Sequence, residues 1–271
     1  MKFFKHFSVL ALHIHRKQQL HAVLLFSFIC FVVPSISAAQ TRTSDANALM
    51  QHIDKMWRSD SSHVLISMKV KTSRYERTMK LESWSKGKEH SLIIIRSPKK
   101  DRDIATLKVG ENIWNYLPKI NRVTKVPASM MSGSWMGSHF TNDDLVKENT
   151  YEDDFTSTIT FDGERNGHTI VEVTSTPHPN AAVVWGKVVT QIDKKNSVPI
   201  SAIYFDEDNS PVRKMIFDRV TTQGDRIYPA RLTLTPVDKP EESTVVEYLN
   251  MEFDLPLRDQ LFSLRSLQKK H

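Results

Sequence analysis

The sequence contains very little cysteine or glycine. Its 271 residues include one Cys, Cys30, and 8 Gly. A single thiol forms no intramolecular disulfide, so the chain must be held together by one sizeable hydrophobic core. So few glycines leave little material for glycine-rich phosphate loops or for propeller and hexapeptide repeats. This composition disfavours nucleotide-binding motors and repeat architectures.

Long apolar runs are also missing. A membrane-spanning helix needs ~20 consecutive apolar residues, whereas the longest apolar run here covers only residues 22–33 and includes Ser27. Four basic residues precede that run, namely Lys2, Lys5, Arg16 and Lys17. Pro34 ends the run, and small residues follow it up to Ala38 and Ala39. This order is typical of a secretory signal peptide, and a short retained anchor is the alternative. We predict a signal peptide over residues 1–39 and a single exported domain over residues 40–271.

Excess charge of one sign is absent once the leader is set aside. Four of the 37 basic residues and none of the 31 acidic residues precede residue 40, so the remaining chain has a formal charge of +2. Proteins that bind nucleic acids usually carry a strongly basic face. We therefore expect no nucleic-acid partner.

The usual signatures of catalysis and metal binding are missing as well. The histidines are scattered and no HExxH motif occurs. Ser134 lies between Gly133 and Gly137, but not at the central place of a nucleophile elbow. Paired acids such as Asp143 and Asp144 are adjacent in the chain, where side chains usually point apart. The sequence predicts no enzyme, no catalytic residue, no metal and no cofactor.

Hydrophobic periodicity indicates an α+β fold. Residues 45–56 repeat apolar side chains at steps of three and four, which predicts an amphipathic helix. From His63 onward apolar residues alternate with polar ones in about a dozen short segments joined by tight turns. Such strands form antiparallel meanders. A single sheet of this size must curl, so we expect an incomplete β-barrel with helices covering its concave face.

An interruption in this pattern between residues 127 and 147 is rich in Met, Ser and Gly. Together with the strand before it, this part of the chain supplies seven flexible or aromatic side chains: Trp114, Tyr116, Met130, Met131, Trp135, Met136 and Phe140. Methionine adapts to irregular apolar surfaces, whereas packed cores favour branched aliphatic residues. Two interpretations remain open: the segment plugs its own core, or it forms a mobile lid over an apolar cavity. We expect the lid, with these seven residues contacting the ligand.

The same stretch carries a resemblance. Residues 113–145, which begin Ile-Trp-Asn-Tyr-Leu-Pro and end Phe-Thr-Asn-Asp-Asp-Leu, resemble the signature of the LolA-like outer-membrane lipoprotein-sorting proteins of Gram-negative periplasms. The resemblance extends over about residues 46–264. It implies a LolA- or LolB-like incomplete barrel around a cavity that holds acyl chains, with no catalytic step. It also implies a periplasmic location.

Two functions of different classes follow. The first is a periplasmic carrier that binds the acyl chains of lipids or lipoproteins and passes them toward the outer membrane, between a donor and an acceptor membrane protein. The second is a non-enzymatic interaction module of an envelope export or signalling complex. Lys119, Arg122 and Lys125 surround a predicted turn and could contact lipid headgroups or an acidic partner, or simply form a solvated hairpin end.

Overall fold

A computed structural model describes residues 35–147, 154–181 and 183–268. The basic start and apolar run of the predicted signal peptide lie outside these residues. One compact unit spans Gln40–His271.

The described residues form a sheet of 13 strands with a few helices. The helices are α1 (Ser35–Met56), α2 (Asn142–Lys147) and α3 (Leu264–Leu267), and 3-10 turns lie at Pro118–Ile120, Ala128–Met130, Trp135–Gly137 and Asp259–Phe262. The first six strands are β1 (Ser61–Lys71), β2 (Glu76–Lys86), β3 (His90–Ser97), β4 (Ala105–Val109), β5 (Asn112–Leu117) and β6 (Arg122–Lys125). The other seven are β7 (Phe155–Arg165), β8 (His168–Pro177), β9 (Lys187–Asp193), β10 (Val198–Phe205), β11 (Pro211–Gln223), β12 (Arg226–Pro236) and β13 (Ser243–Phe253).

The strand order is β6-β5-β4-β3-β2-β1-β13-β12-β11-β10-β9-β8-β7, and every pairing is antiparallel. Each strand pairs with its neighbour in sequence, except where β1 pairs with β13 and where the chain leaves β6 for β7. In the described part of the chain β6 and β7 end the sheet without pairing to each other, so the barrel is not closed. The predicted fold, a large antiparallel sheet forming an incomplete barrel, is confirmed.

Helix α1 covers one face of this sheet, which we call the inner face. The helix begins at Ser35, ten residues before the predicted start. The apolar stripe that gave the prediction begins only near Ala46, but residues 35–56 contain no Gly or Pro that would interrupt a helix. Ala46, Met50 and Ile53 are buried against side chains of β8 and β9. Met56 packs against β1 and β13. The helix therefore bridges both halves of the sheet.

The opposite face of β3–β5 is also covered. Leu92 and Leu107 are fully buried on that outer face and contact Phe262 and Leu267 from the C-terminal turn and α3. A capping box at Ser263 begins α3. The alternate residues of β3 face inward, so this strand is buried on both sides.

Candidate functional site

A cavity of about 280 Å³ lies on the inner face, beneath α1 and residues 127–147. We call residues 127–147 the covering segment. Apolar side chains of the helix and of the central strands form much of the cavity lining, among them Met50, Ile53, Val64, Ile66, Met68, Leu81, Met215, Leu232 and Val246. When an acyl chain replaces water in an apolar cavity, few hydrogen bonds between water and the cavity wall are lost.

Aromatic rings close the cavity on the side of α1. Trp57, the residue after the helix, stacks on Phe217 with ring centroids 5.7 Å apart and on Tyr248 at 6.2 Å. Its indole Nε1 donates to the carbonyl oxygen of Pro229 at 3.2 Å, which fixes the ring plane. All three rings line the cavity. They offer a flat apolar wall that needs no polar partner from a ligand.

The covering segment satisfies many of its own backbone groups. The amide of Trp135 donates to the carbonyl of Phe140 at 2.7 Å, and the amide of Ser138 donates back to the carbonyl of Trp135 at 2.9 Å. The Asn142 side-chain amide donates to the carbonyl oxygens of Met130 and Gly133 at 3.1 and 3.2 Å. Local bonds of this kind let an irregular segment hold a shape over a cavity.

The five predicted residues of this segment occupy different depths. Trp135 is 5% exposed, and its indole donates to the hydroxyl oxygen of Thr106 at 3.1 Å. Phe140 lines the cavity together with Trp135, and Met136 packs against the same core cluster. Met131 is half-buried, while Met130 is 60% exposed. The segment thus combines an anchored indole with a solvent-facing rim.

Trp114 and Tyr116 lie elsewhere. Both belong to β5 and pack with the C-terminal cluster on the outer face of the sheet. Tyr116 pairs with Ala105 across the strands, and both side chains face away from the cavity. Alternation along β5 showed that two residues share a face, but the sequence contained no sign that the C-terminus covers that face. The cavity lining in the described part of the chain includes neither of them.

The predicted basic cluster is exposed at the β6 edge. Lys119, Arg122 and Lys125 are all exposed around the turn between β5 and β6. The Lys125 ammonium lies 5.9 Å from the centroid of the Trp114 ring. These three side chains are absent from the described lining of the cavity.

Polar contacts fix the tip of the covering segment to the sheet. Tyr75, just before β2, and Arg77, near its start, donate to the carbonyl oxygens of Gly137 and Met136, respectively. Gly137 has φ +66, and a Cβ there would lie 2.8 Å from the Tyr75 hydroxyl, so the position requires glycine. The tip therefore depends on a close backbone approach.

His139 adds a second attachment at the start of β13. Its ring Nδ1 lies 2.8 Å from the Thr244 hydroxyl, and its Nε2 lies 3.0 Å from a carboxylate oxygen of Glu242. The hydrogen bond from His139, assisted by the backbone amide of Ser73, lowers the pKa of Glu242 to about 2. Glu242 is therefore ionised and accepts both bonds at neutral pH.

Arg213 holds the far end of the segment. Its guanidinium donates two bonds to the Asp144 carboxylate at 2.7 and 2.8 Å. The same group lies 4.3 and 4.2 Å from the ring centroids of Trp185 and Tyr204. Bidentate geometry and two aromatic faces compensate an arginine side chain that is only 7% exposed.

One end of the cavity is polar, which the sequence analysis missed. Ser62, Ser85, Ser91 and Lys108 all line it and lie opposite one another on β1, β2, β3 and β4. The serine hydroxyls of β1 and β2 are 2.7 Å apart. The sequence does show serines at alternate positions of these strands, which could have indicated a polar patch. Without the strand register, however, it does not show that they lie on the inner face.

Two negative findings concern the described residues. Within residues 35–147, 154–181 and 183–268, His, Cys, Asp and Glu form no group of three or more that could hold a metal ion. Over the same residues, no helix has both the length and the hydropathy needed to cross a bilayer.

Comparison with known proteins agrees with the architecture. Residues 87–269, about two thirds of the chain, match a family model described as "-like: Uncharacterized protein". No curated protein matches the sequence. Three solved structures share the fold at low sequence identity.

The first of these is a DUF1329 family protein from Desulfovibrio piger, with a TM-score of 0.74 and 20% identity, covering 83% of this chain and 99% of its own. An outer membrane lipoprotein-sorting protein domain from Vibrio parahaemolyticus has a TM-score of 0.69 and 19% identity, covering 84% and 100%. A LolA superfamily protein from Nitrosomonas europaea has a TM-score of 0.69 and 19% identity, covering 82% and 98%. At these identities the likeness concerns the fold.

Proposed function

The chain belongs to the family whose model spans residues 87–269 and has a LolA-like fold; from this premise we propose that it is a periplasmic carrier of acyl chains. The cargo is a lipid or a lipid-modified protein, which the chain binds without a catalytic step and passes toward the outer membrane. A donor and an acceptor in the envelope membranes are the implied partners.

The cavity beneath α1 and the covering segment is the observation that carries this proposal. Its central lining is aliphatic and aromatic, and the cavity volume is about 280 Å³. Burial of an acyl chain contributes about 0.8 kcal/mol per CH₂. A chain of modest length therefore binds with useful affinity and can still leave when an acceptor offers an equal apolar surface.

The covering segment is the proposed lid. Phe140 lines the cavity, and the tip at Gly137 is held by polar contacts that water can replace when the segment opens. Trp135 would act as the hinge-side anchor, because its ring is buried and its indole is bonded to Thr106. Opening would then expose the cavity without unfolding the sheet.

A matched pair of substitutions tests the proposal. Ala202 lines the cavity from β10, whereas Ile203, the next residue, faces the other side of the strand. Ala202→Phe should fill part of the cavity and weaken binding of an uncharged fluorescent hexadecanoyl ester at least about ten-fold. Ile203→Phe should leave the affinity within about two-fold.

Native mass spectrometry of wild-type protein from its own periplasm supplies the second readout. A co-purifying lipid or acylated peptide supports the carrier, and N-terminal sequencing of the same sample should begin at Ala39 or Gln40. A protein that carries no lipid, shows no probe binding and copurifies with a protein partner would instead support the interaction module.

A further inference from the structure

We infer that one end of the sheet docks on an anionic lipid bilayer, with Ile120 entering the interface and basic side chains contacting the lipid headgroups. This end is formed by residues 71–76, 98–104 and 117–122, which we call the basic end. The inference extends the proposed carrier function, but it rests on this surface and not on the cavity.

Three connections between strands meet at the basic end. β1 ends at Lys71, which pairs with Glu76 at the start of β2. The end of β3 pairs with β2, and β4 begins at Ala105, which pairs with Tyr116 near the end of β5. Because neighbouring strands run antiparallel, the β1–β2, β3–β4 and β5–β6 connections lie side by side.

The β5–β6 turn presents an apolar side chain to water. Ile120 is 63% exposed, and Leu117 beside it is 39% exposed. The amide of Asn121 donates to the carbonyl oxygen of Pro118 at 3.2 Å, and the Tyr116 hydroxyl donates to the Asn121 side-chain oxygen at 3.2 Å. The turn is therefore fixed by its own bonds. An isoleucine so exposed contributes little to the fold, whereas it gains free energy by entering a lipid interface.

Basic residues surround that turn. The three segments of the basic end contain seven basic and three acidic residues, a net charge of +4. A cluster of Lys and Arg beside an exposed apolar side chain is the combination that binds anionic membrane surfaces. Five of the basic residues lie in the two connections nearest the β6 edge and are exposed, namely Lys99, Lys100, Arg102, Lys119 and Arg122.

The three acidic residues of the basic end lie beside other cations. Each is within ion-pair distance of a basic residue on an adjoining strand that is not one of the seven. The positive charge of the seven is therefore not offset by these carboxylates. The pairs are Glu76 with Lys69 at 2.7 Å, Asp101 with Arg77 at 3.8 Å and Asp103 with Arg96 at 3.7 Å.

The charge along this side of the sheet also sets an orientation. Two further connections, residues 206–210 and 237–242, lie on the same side in the second half of the sheet and contain six acidic residues and one basic residue. An anionic bilayer attracts the first half and repels the second. Tyr75 belongs to the basic end and donates to the carbonyl oxygen of Gly137, so docking places the tip of the covering segment near the bilayer.

Vesicles of two compositions test the inference. One contains phosphatidylcholine alone, and the other contains equal parts of phosphatidylcholine and phosphatidylglycerol. In co-sedimentation at low salt, we expect wild-type protein to bind the anionic vesicles at least about ten-fold more tightly than the neutral ones. The difference should shrink as salt is added, because exposed charges are screened.

Two pairs of lysines locate the charge effect. Lys99→Gln combined with Lys100→Gln should weaken binding to the anionic vesicles about ten-fold. Lys194→Gln combined with Lys195→Gln is the matched control, because these lysines are exposed in the β9–β10 connection at the opposite end of the strands. This control should keep the affinity within about two-fold of wild type.

A second comparison locates the inserted side chain. Ile120→Ser should weaken binding to the anionic vesicles about five-fold, whereas Val220→Ser, which changes a side chain that is 50% exposed on β11, should not. In a Cys30→Ser background, Ile120→Cys and Val220→Cys each supply the one cysteine of the chain for an environment-sensitive dye. The dye emission should shift to shorter wavelength on anionic vesicles only for Ile120→Cys.

The outcomes separate this surface from the carrier proposal. Equal affinity for the two kinds of vesicle, no vesicle binding, or equal losses in the two lysine double variants would overturn the docking surface. Capture of an acidic protein by these lysines without vesicle binding would also overturn it and assign the surface to that protein. Wild-type protein that binds the fluorescent ester but no vesicle keeps the carrier, and protein that binds anionic vesicles but no ester keeps only the docking surface.

Discussion

Arg213 shows how a single side chain can hold a charge inside an apolar site. Its guanidinium is flanked by the Trp185 and Tyr204 rings and bound at both ends of its fork by Asp144. Each of these contacts alone would stabilise the buried guanidinium only weakly, but together they replace the hydration that the group loses. The carboxylate is 15% exposed, so it too depends on the pair.

Arg213→Met should therefore cost about 2 to 4 kcal/mol of unfolding free energy, because it leaves Asp144 without its cationic partner in a poorly hydrated place. Urea unfolding measures the change. Arg165→Met removes an arginine whose side chain is 41% exposed in its ion pair with Glu172, and should cost below about 1 kcal/mol. Equal losses of unfolding free energy in the two variants would show that burial does not increase the contribution of the Arg213 pair to stability.

The attachment of the covering segment through Glu242 should weaken at low pH. Its pKa is lowered from 4.5 to about 2 by His139 and by the Ser73 amide. A carboxyl whose pKa is lower in the folded state stabilises the fold above its unfolded pKa, and this contribution is lost as the pH falls through the folded value. The stabilisation should thus be complete near pH 6 and disappear progressively between about pH 4.5 and pH 2.

The comparison of wild type with Glu242→Gln isolates this effect. The difference between their unfolding free energies should be largest near pH 6 and shrink at pH 3, as followed by urea melts at each pH. Glu241→Gln, at the exposed neighbouring position, controls for the loss of one negative charge. A difference that stays constant from pH 6 to pH 3 would contradict the assignment.

At the scale of elements, the covering segment could be separated from the strands by its composition. Trp135 and Phe140 are among the residues that line the cavity, and their contact with a ligand stays a prediction. The depth of each residue was not predictable, because the partner of the Trp135 indole is Thr106, and that pairing depends on how the segment crosses β4. Trp114 and Tyr116 face outward for a similar reason: the residues that cover them, Phe262 and Leu267, lie at the far end of the chain.

Release of the segment's tip should accelerate ligand entry. His139→Ala removes the ring contacts to Thr244 and Glu242 and should cost about 1 to 2 kcal/mol of stability. If the segment is a lid, the association rate of the fluorescent ester in stopped flow should rise several-fold while the equilibrium affinity changes less. His168→Ala, exposed at the start of β8, should alter neither rate nor stability. An unchanged association rate in a folded His139→Ala protein favours the plug.

At the scale of the whole molecule, the fold followed from a repeated and simple signal. Alternating apolar residues and tight turns predicted the antiparallel order, and 13 strands could not lie flat. The polar end of the cavity could not be predicted from the sequence. A lysine in a strand, such as Lys108, is expected to face solvent unless its register with Ser91 is known. Residues that look exposed one at a time can meet on an inner face when four strands align.

The length of the cavity gives the last prediction. Because the inner face changes from serine side chains to apolar ones along β1 and β2, a bound chain should lie along these strands and extend toward Met68 and Ala202. In a series of fatty acids, affinity should rise about four-fold for each added CH₂, the equivalent of about 0.8 kcal/mol. The rise should stop once the chain fills the cavity, and displacement of the fluorescent ester measures where it stops.

Ala202→Phe narrows the apolar end and should move that limit to shorter chains while leaving the affinity of the shortest ones nearly unchanged. Ile203→Phe should keep the wild-type limit, since the residue faces the other side of β10. A limit that stays in place in Ala202→Phe would mean that the chain lies elsewhere on the inner face. A series with no limit at all would point to binding on an open surface, where each CH₂ finds the same apolar contact regardless of chain length.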